Sequence, residues 1–143
     1  MIVVDTNVLS ELLRSAPESA VLDWFDAQPA ANLYTTSVTQ AEMLYGARLL
    51  PASKRHKQLV QGLEIMFDVD FSGRVLGFDA AAAPEYADVV ANRRQCGRPI
   101  SQFDAQIAAI ARLHGADLAT RNTRDFESCG IDLIDPWQAH RQS

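Results

Sequence analysis

The chain has 143 residues, 48% of them hydrophobic and 22% charged, a composition typical of one globular domain, which we expect to span residues 1–143. Its 18 acidic and 13 basic residues give a net charge of −5, which excludes a protein that binds nucleic acid through a general excess of positive charge. No apolar run reaches the roughly 18 residues that span a bilayer, and the chain does not open with a signal sequence, so we expect a cytoplasmic protein without a membrane partner.

Short apolar strands alternate with amphipathic helices along the chain. The first run, from Ile2 to Val4, is apolar and β-branched, as in a strand buried on both faces of a parallel sheet. The sequence predicts strands at 2–4, 33–35, 69–71, 117–120 and 131–134, helices at about 5–13, 17–25, 37–50, 54–66, 79–95 and 101–114, and turns at 73–77 and 122–126. Pro84 predicts that the fifth helix begins late or bends. This order predicts an α/β fold with a mostly parallel central sheet.

Cysteine and histidine form no zinc-binding pattern. Cys96 and Cys129 lie in no CxxC motif, so we expect free thiols in a reducing compartment. His56, His114 and His140 are interpreted as surface residues, which gives no support to a transition-metal site.

Two acidic residues in the first third of the chain are candidates for a site, one at a strand end, where a parallel sheet collects its ligands, and one on a helix. Asp5 directly follows the first strand, although it is also a good helix N-cap. Glu42 shares a helical face with Val38, Ala41 and Tyr45, which we expect to point inward. A buried carboxylate needs a proton, a metal ion or an arginine, so Glu42 indicates a functional site.

Further polar candidates come later in the chain. Asp104 shares a helical face with Ile107 and Ala108, although it also fits a capping box with Ser101. The segment 120–126 follows a predicted strand and would bring Asn122 and Asp125 to the same crevice, unless it is an ordinary solvated turn. Oxygen ligands from several separate elements favour Mg²⁺ or Mn²⁺.

Four stretches of the sequence, in order, resemble those of a known family, the PIN domain, and within it the VapC-type toxins of toxin–antitoxin modules, including plasmid stability proteins. The stretches are residues 2–11 (IVVDTNVLSE), 37–46 (SVTQAEMLYG), 103–111 (FDAQIAAIA) and 119–126 together with 131–137. The resemblance implies a three-layer α/β/α sandwich. It also implies an endoribonuclease that depends on Mg²⁺ or Mn²⁺ and is kept silent by a small antitoxin.

The same resemblance implies site residues and partners. Asp5, Glu42 and Asp104 would form the acidic site. Many relatives place an aspartate where this chain has Asn122, so Asp125 is expected to be the fourth acid and Asn122 a neutral substitute. The resemblance also implies a homodimer and contact with operator DNA only through the antitoxin. The many apolar residues of the first two helices, including Leu9 and Trp24, fit a dimer.

Each site residue receives an expected role. Asp5 and Asp104 would bind the principal metal directly, and Glu42 would bind it through water or hold a second ion. Thr6 and Asn7 would bind the phosphate or orient Asp5. The substrate-binding cations are expected to be Arg121 and Arg124, which flank the site, in preference to the other basic groups, Arg93, Arg94, Arg98 and residues 54–57.

Two other functions compete with the nuclease. A phosphatase of the haloacid dehalogenase type also carries an aspartate after its first strand, but it needs a second acid where this chain has Asn7. A binding module is the other alternative: an antitoxin-tethered co-repressor whose acidic pocket serves only as a socket for arginine.

Overall fold

A computed structural model describes residues 1–138, which form a five-stranded sheet with helices on both faces. The strands are β1 (Ile2–Val4), β2 (Leu33–Thr36), β3 (Val75–Leu76), β4 (Asp117–Ala119) and β5 (Leu133–Ile134). The α-helices are α1 (Thr6–Leu12), α2 (Ser19–Ala27), α3 (Ser37–Arg48), α4 (Lys54–Ile65), α5 (Ala82–Gln95) and α6 (Gln102–Leu113). Short 3₁₀ turns cover Ala30–Asn32 and Thr123–Phe126, and a π-helical turn, Met66–Asp70, extends α4.

All strand pairings are parallel, and the strand order is β3-β2-β1-β4-β5. The central strand β1 lies between β2 and β4, with Ile2 opposite both Leu33 and Asp117. The carboxyl ends of β1, β2 and β4 therefore lie along one edge of the sheet, and the loops that follow them can form a common site.

Hydrophobic cores cover both faces of the sheet. Val3 and Val4 are fully buried and point to opposite faces, as successive strand residues do. The core on the Val4 side contains residues of α1, α2 and α4, and the core on the Val3 side contains residues of α5 and α6. Helix α3 contributes to both cores, through Met43 on one side and Val38 on the other. The predicted α/β/α sandwich with a parallel sheet is confirmed.

The strand predicted at 69–71 is wrong, and the turn predicted at 73–77 is only partly right, because a turn ends at Gly73 and a strand follows it. Val69 and Phe71 alternate with aspartates as in a strand, but this segment is the π-helical turn, closed by a hydrogen bond from Phe71 N to Met66 O at 2.9 Å. Phe71 is buried while Val69 is exposed, so the alternation does not reflect two faces of a strand. The edge strand β3 lies inside the predicted turn and is fixed by pairing of Val75 with Thr35 of β2.

The inward face of α3 also differs from the prediction. Val38 is buried, but Ala41, Tyr45 and Leu49 are exposed. The buried positions are instead Val38, Thr39, Met43 and Ala47. One buried position of α3 is occupied by a threonine, because the Thr39 hydroxyl accepts a hydrogen bond from the Thr6 hydroxyl at 3.1 Å. A pattern of apolar residues cannot predict such a position.

Helix α5 starts late, as Pro84 predicts. It begins at Ala82, so the proline falls in the first turn, where a missing N–H breaks no helical hydrogen bond. The Asp79 side chain accepts a hydrogen bond from Ala82 N at 3.2 Å and so covers this end of the helix.

Several smaller predictions concern single side chains. Cys96 and Cys129 are free, as predicted, the first exposed and the second buried. His114 is exposed and His56 is partly buried, whereas His140 lies outside the described residues. Leu9 and Trp24, interpreted as surplus apolar surface, are instead buried inside the chain's own core. None of the helices within residues 1–138 has the length and apolar character needed to cross a membrane.

Candidate functional site

A cleft of about 490 Å³ opens at the carboxyl edge of the sheet. Its lining residues are Asp5, Thr6, Asn7, Ser10, Glu11, Arg14, Glu42, Asp104, Arg121, Asn122 and Trp137. The structure thus brings together seven of the predicted site residues from four parts of the chain. Arg124 and Asp125, which were also predicted, do not line the cleft.

Asp5 is the fixed point of the cleft. It is only 5% exposed, and its backbone N–H continues the β1–β4 pairing by donating to Ala119 O at 2.9 Å. Its Oδ1 accepts from Thr6 N at 2.8 Å, which makes it the N-cap of α1, and its Oδ2 accepts from the Thr120 hydroxyl at 2.8 Å. The capping role and the site role of Asp5 are therefore compatible.

Asn7 joins the loops that follow β1 and β4. Its amide nitrogen lies 3.4 Å from Asp5 Oδ2 and 3.3 Å from the Thr120 hydroxyl, and its amide oxygen accepts from Arg121 N at 3.2 Å. Asn122 N in turn donates to the Thr120 hydroxyl at 3.1 Å. Both ends of the Asn7 amide are therefore engaged within the chain, the nitrogen with Asp5 and Thr120 and the oxygen with the loop after β4.

Glu42 reaches the cleft from the second turn of α3 and is partly buried. Burial raises the pKa of its carboxyl, and the neighbouring charges of Asp5 and Asp104 raise it further. The Thr6 hydroxyl partly offsets this rise by hydrogen bonding. Glu42 therefore faces the site from the edge of the buried face of α3.

Asp104 lies in the first turn of α6, where its backbone N–H donates to the capping Ser101 hydroxyl at 3.2 Å. Burial raises the pKa of the Asp104 carboxyl, and the charge of Asp125 adds to the rise. The Ser101 hydroxyl and the positive charge of Arg93 act in the opposite direction.

Three of the four carboxylates that line the cleft belong to Asp5, Glu42 and Asp104, and the fourth, that of Glu11, is paired with Arg14. Burial is the largest cause of the raised pKa values of Asp5, Glu42 and Asp104, and the mutual repulsion of the acids adds to it. Within the described part of the chain, none of the three forms an ion pair with an arginine or lysine. A paired arginine would give these buried acids a purely structural role, but within residues 1–138 none of the three has such a partner.

The turn after β4 is held from behind by α5. Arg93 is only 4% exposed and donates to Glu127 O at 2.7 Å and to Arg124 O at 3.4 Å. Arg98 donates to Arg124 O at 3.1 Å and pairs with the Glu127 carboxylate at 2.6 Å. Arg93 is thus a buried clamp, which differs from the RNA-facing surface cation considered in the sequence.

Asp125 lies in this clamped turn, exposed and outside the cleft, yet its charge raises the pKa values of both Asp5 and Asp104. Asn122 lines the cleft itself. The two candidates for the fourth position therefore differ. Asn122 lies in the cleft itself, whereas Asp125 affects Asp5 and Asp104 only through its charge.

The donor set fits a hard divalent cation. Asp5, Glu42 and Asp104 offer only carboxylate oxygens, which Mg²⁺ and Mn²⁺ prefer, and a cation would relieve the repulsion that raises their pKa values. Within residues 1–138, no three acidic, histidine or cysteine side chains converge closely enough to enclose an ion. Asp5 is fixed by its hydrogen bonds, whereas Glu42 and Asp104 are half-exposed.

Sequence reasoning missed several contributors to the site. Thr120, which fixes Asp5, and Arg93, which fixes the neighbouring turn, act through contacts distant in sequence. Glu11, 6% exposed, lines the cleft and pairs with Arg14 at 3.0 Å. Trp137 lines the cleft as well. A buried acid on the apolar face of α1 was the signal for Glu11. Thr120 and Trp137 lie in the stretches 119–126 and 131–137 that resemble the family, but nothing in the sequence assigned their side chains to the cleft, and Arg93 had no signal for its buried role.

The raised pKa values predict how stability changes with pH. Because the folded carboxyls of Asp5, Glu42 and Asp104 bind protons more readily than unfolded ones, the metal-free protein should gain stability as the pH falls from neutral toward their raised pKa values. Asp104→Asn removes one of these charges, so it should melt at a higher temperature than the unmodified chain near pH 7.5. This difference in Tm should shrink as the pH falls and the carboxyl becomes protonated.

Thermal melts of both proteins in a metal chelator, recorded across this range, check the prediction. Comparing the two proteins at each pH removes the contributions of groups that they share. A gap in Tm that stays constant or widens as the pH falls contradicts the assignment of an uncompensated charge to Asp104.

The chain resembles known proteins over nearly its whole length. The model of the PIN domain family matches residues 2–130. A protein named VapC ribonuclease Y4jK, from Sinorhizobium fredii, is 44% identical over 96% of this chain and 99% of its own. The plasmid stability protein StbB of Pseudomonas syringae pv. tomato is 43% identical over 97% of this chain and 100% of its own.

Solved structures agree with these sequence relationships. The structure of FitAB bound to an IR36 DNA fragment matches with a TM-score of 0.91 and 36% identity over 96% of each chain. FitAcB from Neisseria gonorrhoeae matches with a TM-score of 0.90 and 36% identity, over 96% of this chain and 99% of that one. On its sequence and its fold, the chain belongs to the PIN domain family, as a homologue of the VapC-type toxins.

Proposed function

We propose that this protein is a divalent-metal-dependent endoribonuclease that hydrolyses RNA phosphodiester bonds and acts in the cytoplasm as the toxin of a toxin–antitoxin module. One observation carries the proposal: Asp5, Glu42 and Asp104 come from three separate elements to one cleft, with raised pKa values and without an ion-pair partner among the described residues. An arrangement that is unfavourable by itself becomes favourable when a cation binds.

The carboxylates have distinct parts in holding Mg²⁺ or Mn²⁺. Asp5, fixed by Thr120 and by the start of α1, and Asp104 would be direct ligands, and Glu42 would act through water or hold a second ion. Such an ion supplies two kinds of chemistry at a phosphodiester, acidifying a water molecule and offsetting the charge that develops on the phosphate. Glu42 and Asp104 are only partly buried, so rotation of their side chains would bring the three carboxylates together around the ion.

Other residues prepare the cleft for RNA. Thr6 supports Glu42, and Asn7 keeps the loop after β4 against Asp5. Arg121 and Asn122 line the cleft and are placed to contact a phosphate or ribose. Arg124 lies on the turn behind the cleft, so we assign it a weaker contact with the RNA strand. No side chain is needed as a nucleophile, since water attacks.

The relatives support the biological part of the proposal. One is named a ribonuclease, another a plasmid stability protein, and the FitAB structure includes DNA. By this likeness we propose a small antitoxin as partner, contact with operator DNA only through that antitoxin, and a homodimer.

Neither alternative has comparable support. The phosphatase requires a second acid at the position of Asn7, whose amide instead bridges two loops. The co-repressor module uses the same acidic cleft without turnover, so only an activity measurement separates it from the nuclease.

We expect the purified chain, free of antitoxin, to cleave a mixture of structured RNAs in Mg²⁺ or Mn²⁺ and not in EDTA. Gel analysis of the RNA should show discrete fragments, and excess Mn²⁺ added to the chelated sample should restore them. A folded chain that yields no fragments with either metal, but binds an arginine-bearing antitoxin peptide, would instead be the binding module.

A further inference from the structure

Arg121 and Trp137 form a pair at the rim of the acidic cleft. The guanidinium carbon of Arg121 lies 4.9 Å from the centroid of the Trp137 ring, a cation–π distance. Both side chains line the same cleft as Asp5, Glu42 and Asp104. The pair is the contact between the loop after β4 and the segment after β5.

Arg121 is held by an aromatic ring although carboxylates are close. Among the described residues it forms no ion pair, whereas Arg14, the other arginine of the cleft, is paired with Glu11 at 3.0 Å. An aromatic face orients a cation without neutralising it, so the charge of Arg121 stays available to an anion from outside.

Both members of the pair are fixed at their backbone. Arg121 N donates to Asn7 Oδ1 at 3.2 Å, which ties it to the loop that carries Asp5. Trp137 N donates to Asp135 Oδ1 at 2.9 Å, and the Trp137 ring packs against the core on the Val4 side of the sheet. The buried indole Nε1 has no hydrogen-bond partner in the described part of the chain. The position of the ring therefore rests on packing and on Arg121.

We propose that Trp137 is a positioning residue that holds Arg121 ready to bind a phosphodiester of the RNA strand next to the one that is cleaved. The inference rests on the proposed ribonuclease function and identifies a subsite of it. An acidic cleft repels RNA on both sides of its metal, so a pre-oriented arginine at the rim gives the strand one favourable contact and sets its direction through the cleft.

The test measures binding of a fluorescently labelled single-stranded RNA in Mn²⁺ by anisotropy, with all variants made in the Asp104→Asn background to prevent cleavage. Arg121→Gln should weaken binding about tenfold, the loss expected for one charge-assisted hydrogen bond, and should lower the slope of log K against log salt by about 0.7. Trp137→Leu should weaken binding about two- to fivefold, as loss of a cation–π contact does, and Trp137→Phe should restore part of it.

The two substitutions should not be additive. In the Arg121→Gln protein, Trp137→Leu should have no further effect on binding, because the ring acts only through the arginine. Arg48→Gln, an exposed arginine of α3 outside the cleft, is the control with the same charge change and should leave the affinity nearly unchanged.

Distinct results overturn the inference and the proposed function. An unchanged salt slope in Arg121→Gln, or full affinity in folded Trp137→Leu, overturns the inference even if the unmodified chain cleaves RNA. If Trp137→Leu does not fold, the affinity of Trp137→Phe and the salt slope of Arg121→Gln test the inference instead. If the unmodified chain with Mn²⁺ cleaves no RNA, the ribonuclease proposal fails, and the binding assay still reports on the subsite.

Discussion

Replacing Asp104 with asparagine is expected to lower the rate of RNA cleavage by at least about 100-fold. The substitution would remove an anionic ligand of the proposed metal ion, worth several kcal/mol of transition-state stabilisation, and each 1.36 kcal/mol is a factor of ten. Asparagine keeps the size of the side chain, and the cap of α6 comes from Ser101, so the fold should persist. Initial rates on one RNA at saturating Mn²⁺ measure the loss, and a metal titration followed by Tm measures the affinity.

Asp117→Asn is the matched control, since Asp117 begins β4 at the opposite end of the strand from the cleft. This variant should cleave RNA like the unmodified chain. Asp125→Asn should lose less activity than Asp104→Asn because Asp125 lies outside the cleft and acts through its field. If Asp104→Asn keeps more than about a tenth of the activity, Asp104 is not a metal ligand.

The largest effect on stability is expected from Arg93→Met. The substitution removes a buried guanidinium that donates to the carbonyl groups of Arg124 and Glu127. Within residues 1–138 it leaves Glu127 O with only the Cys129 thiol at 3.7 Å, whereas Arg124 O keeps its hydrogen bond from Arg98. Hydrogen bonds from a charged group contribute about 1.5–3 kcal/mol each to stability. The substitution also removes the buried Nε, which has no partner among the described residues, and this lowers the cost. We therefore expect a net loss of about 2–3 kcal/mol in the free energy of unfolding.

Urea unfolding measures this loss, with Arg94→Met as its control. Arg94 is the next residue of α5 and is exposed, so its replacement should change the free energy of unfolding by no more than about 0.5 kcal/mol. Equal effects of the two substitutions would show that the Arg93 clamp contributes nothing. The pKa of Asp104 should also rise in Arg93→Met, since Arg93 lowers it in the intact protein.

Local patterns were sufficient to predict most of the fold. Strand β1 and helix α6 carry strong periodic signals and clear ends, and the structure has both close to the predicted bounds. The edge strand β3 has two residues and no pattern of its own, because its conformation depends on pairing with β2. A strand defined by its neighbour cannot be recognised from its own residues.

The acidic residues of the site could be predicted from the sequence, but the residues that hold them in place could not. Asp5 and Asp104 were placed by strand ends and helical faces, and the structure brings both to the cleft. Glu42 also lies there, although the inward face assigned to its helix was wrong. The Thr120 hydroxyl that fixes Asp5 is 115 residues away in the chain, a contact that only the sheet order creates.

Because β1 lies in the middle of the sheet, the first of the five strands in chain order is among the last to be completed. Pairing of β1 with β4 closes a loop that contains most of the chain. The entropy lost on closing this loop must be spent before the contacts between the two strands can stabilise the fold. A nascent chain that ends before residue 117 contains Asp5 and Glu42 but lacks β4, so the edge of β1 that pairs with β4 is exposed. The cleft is therefore complete only once β4 has paired with β1, and chains that lack β4 expose a strand edge prone to self-association.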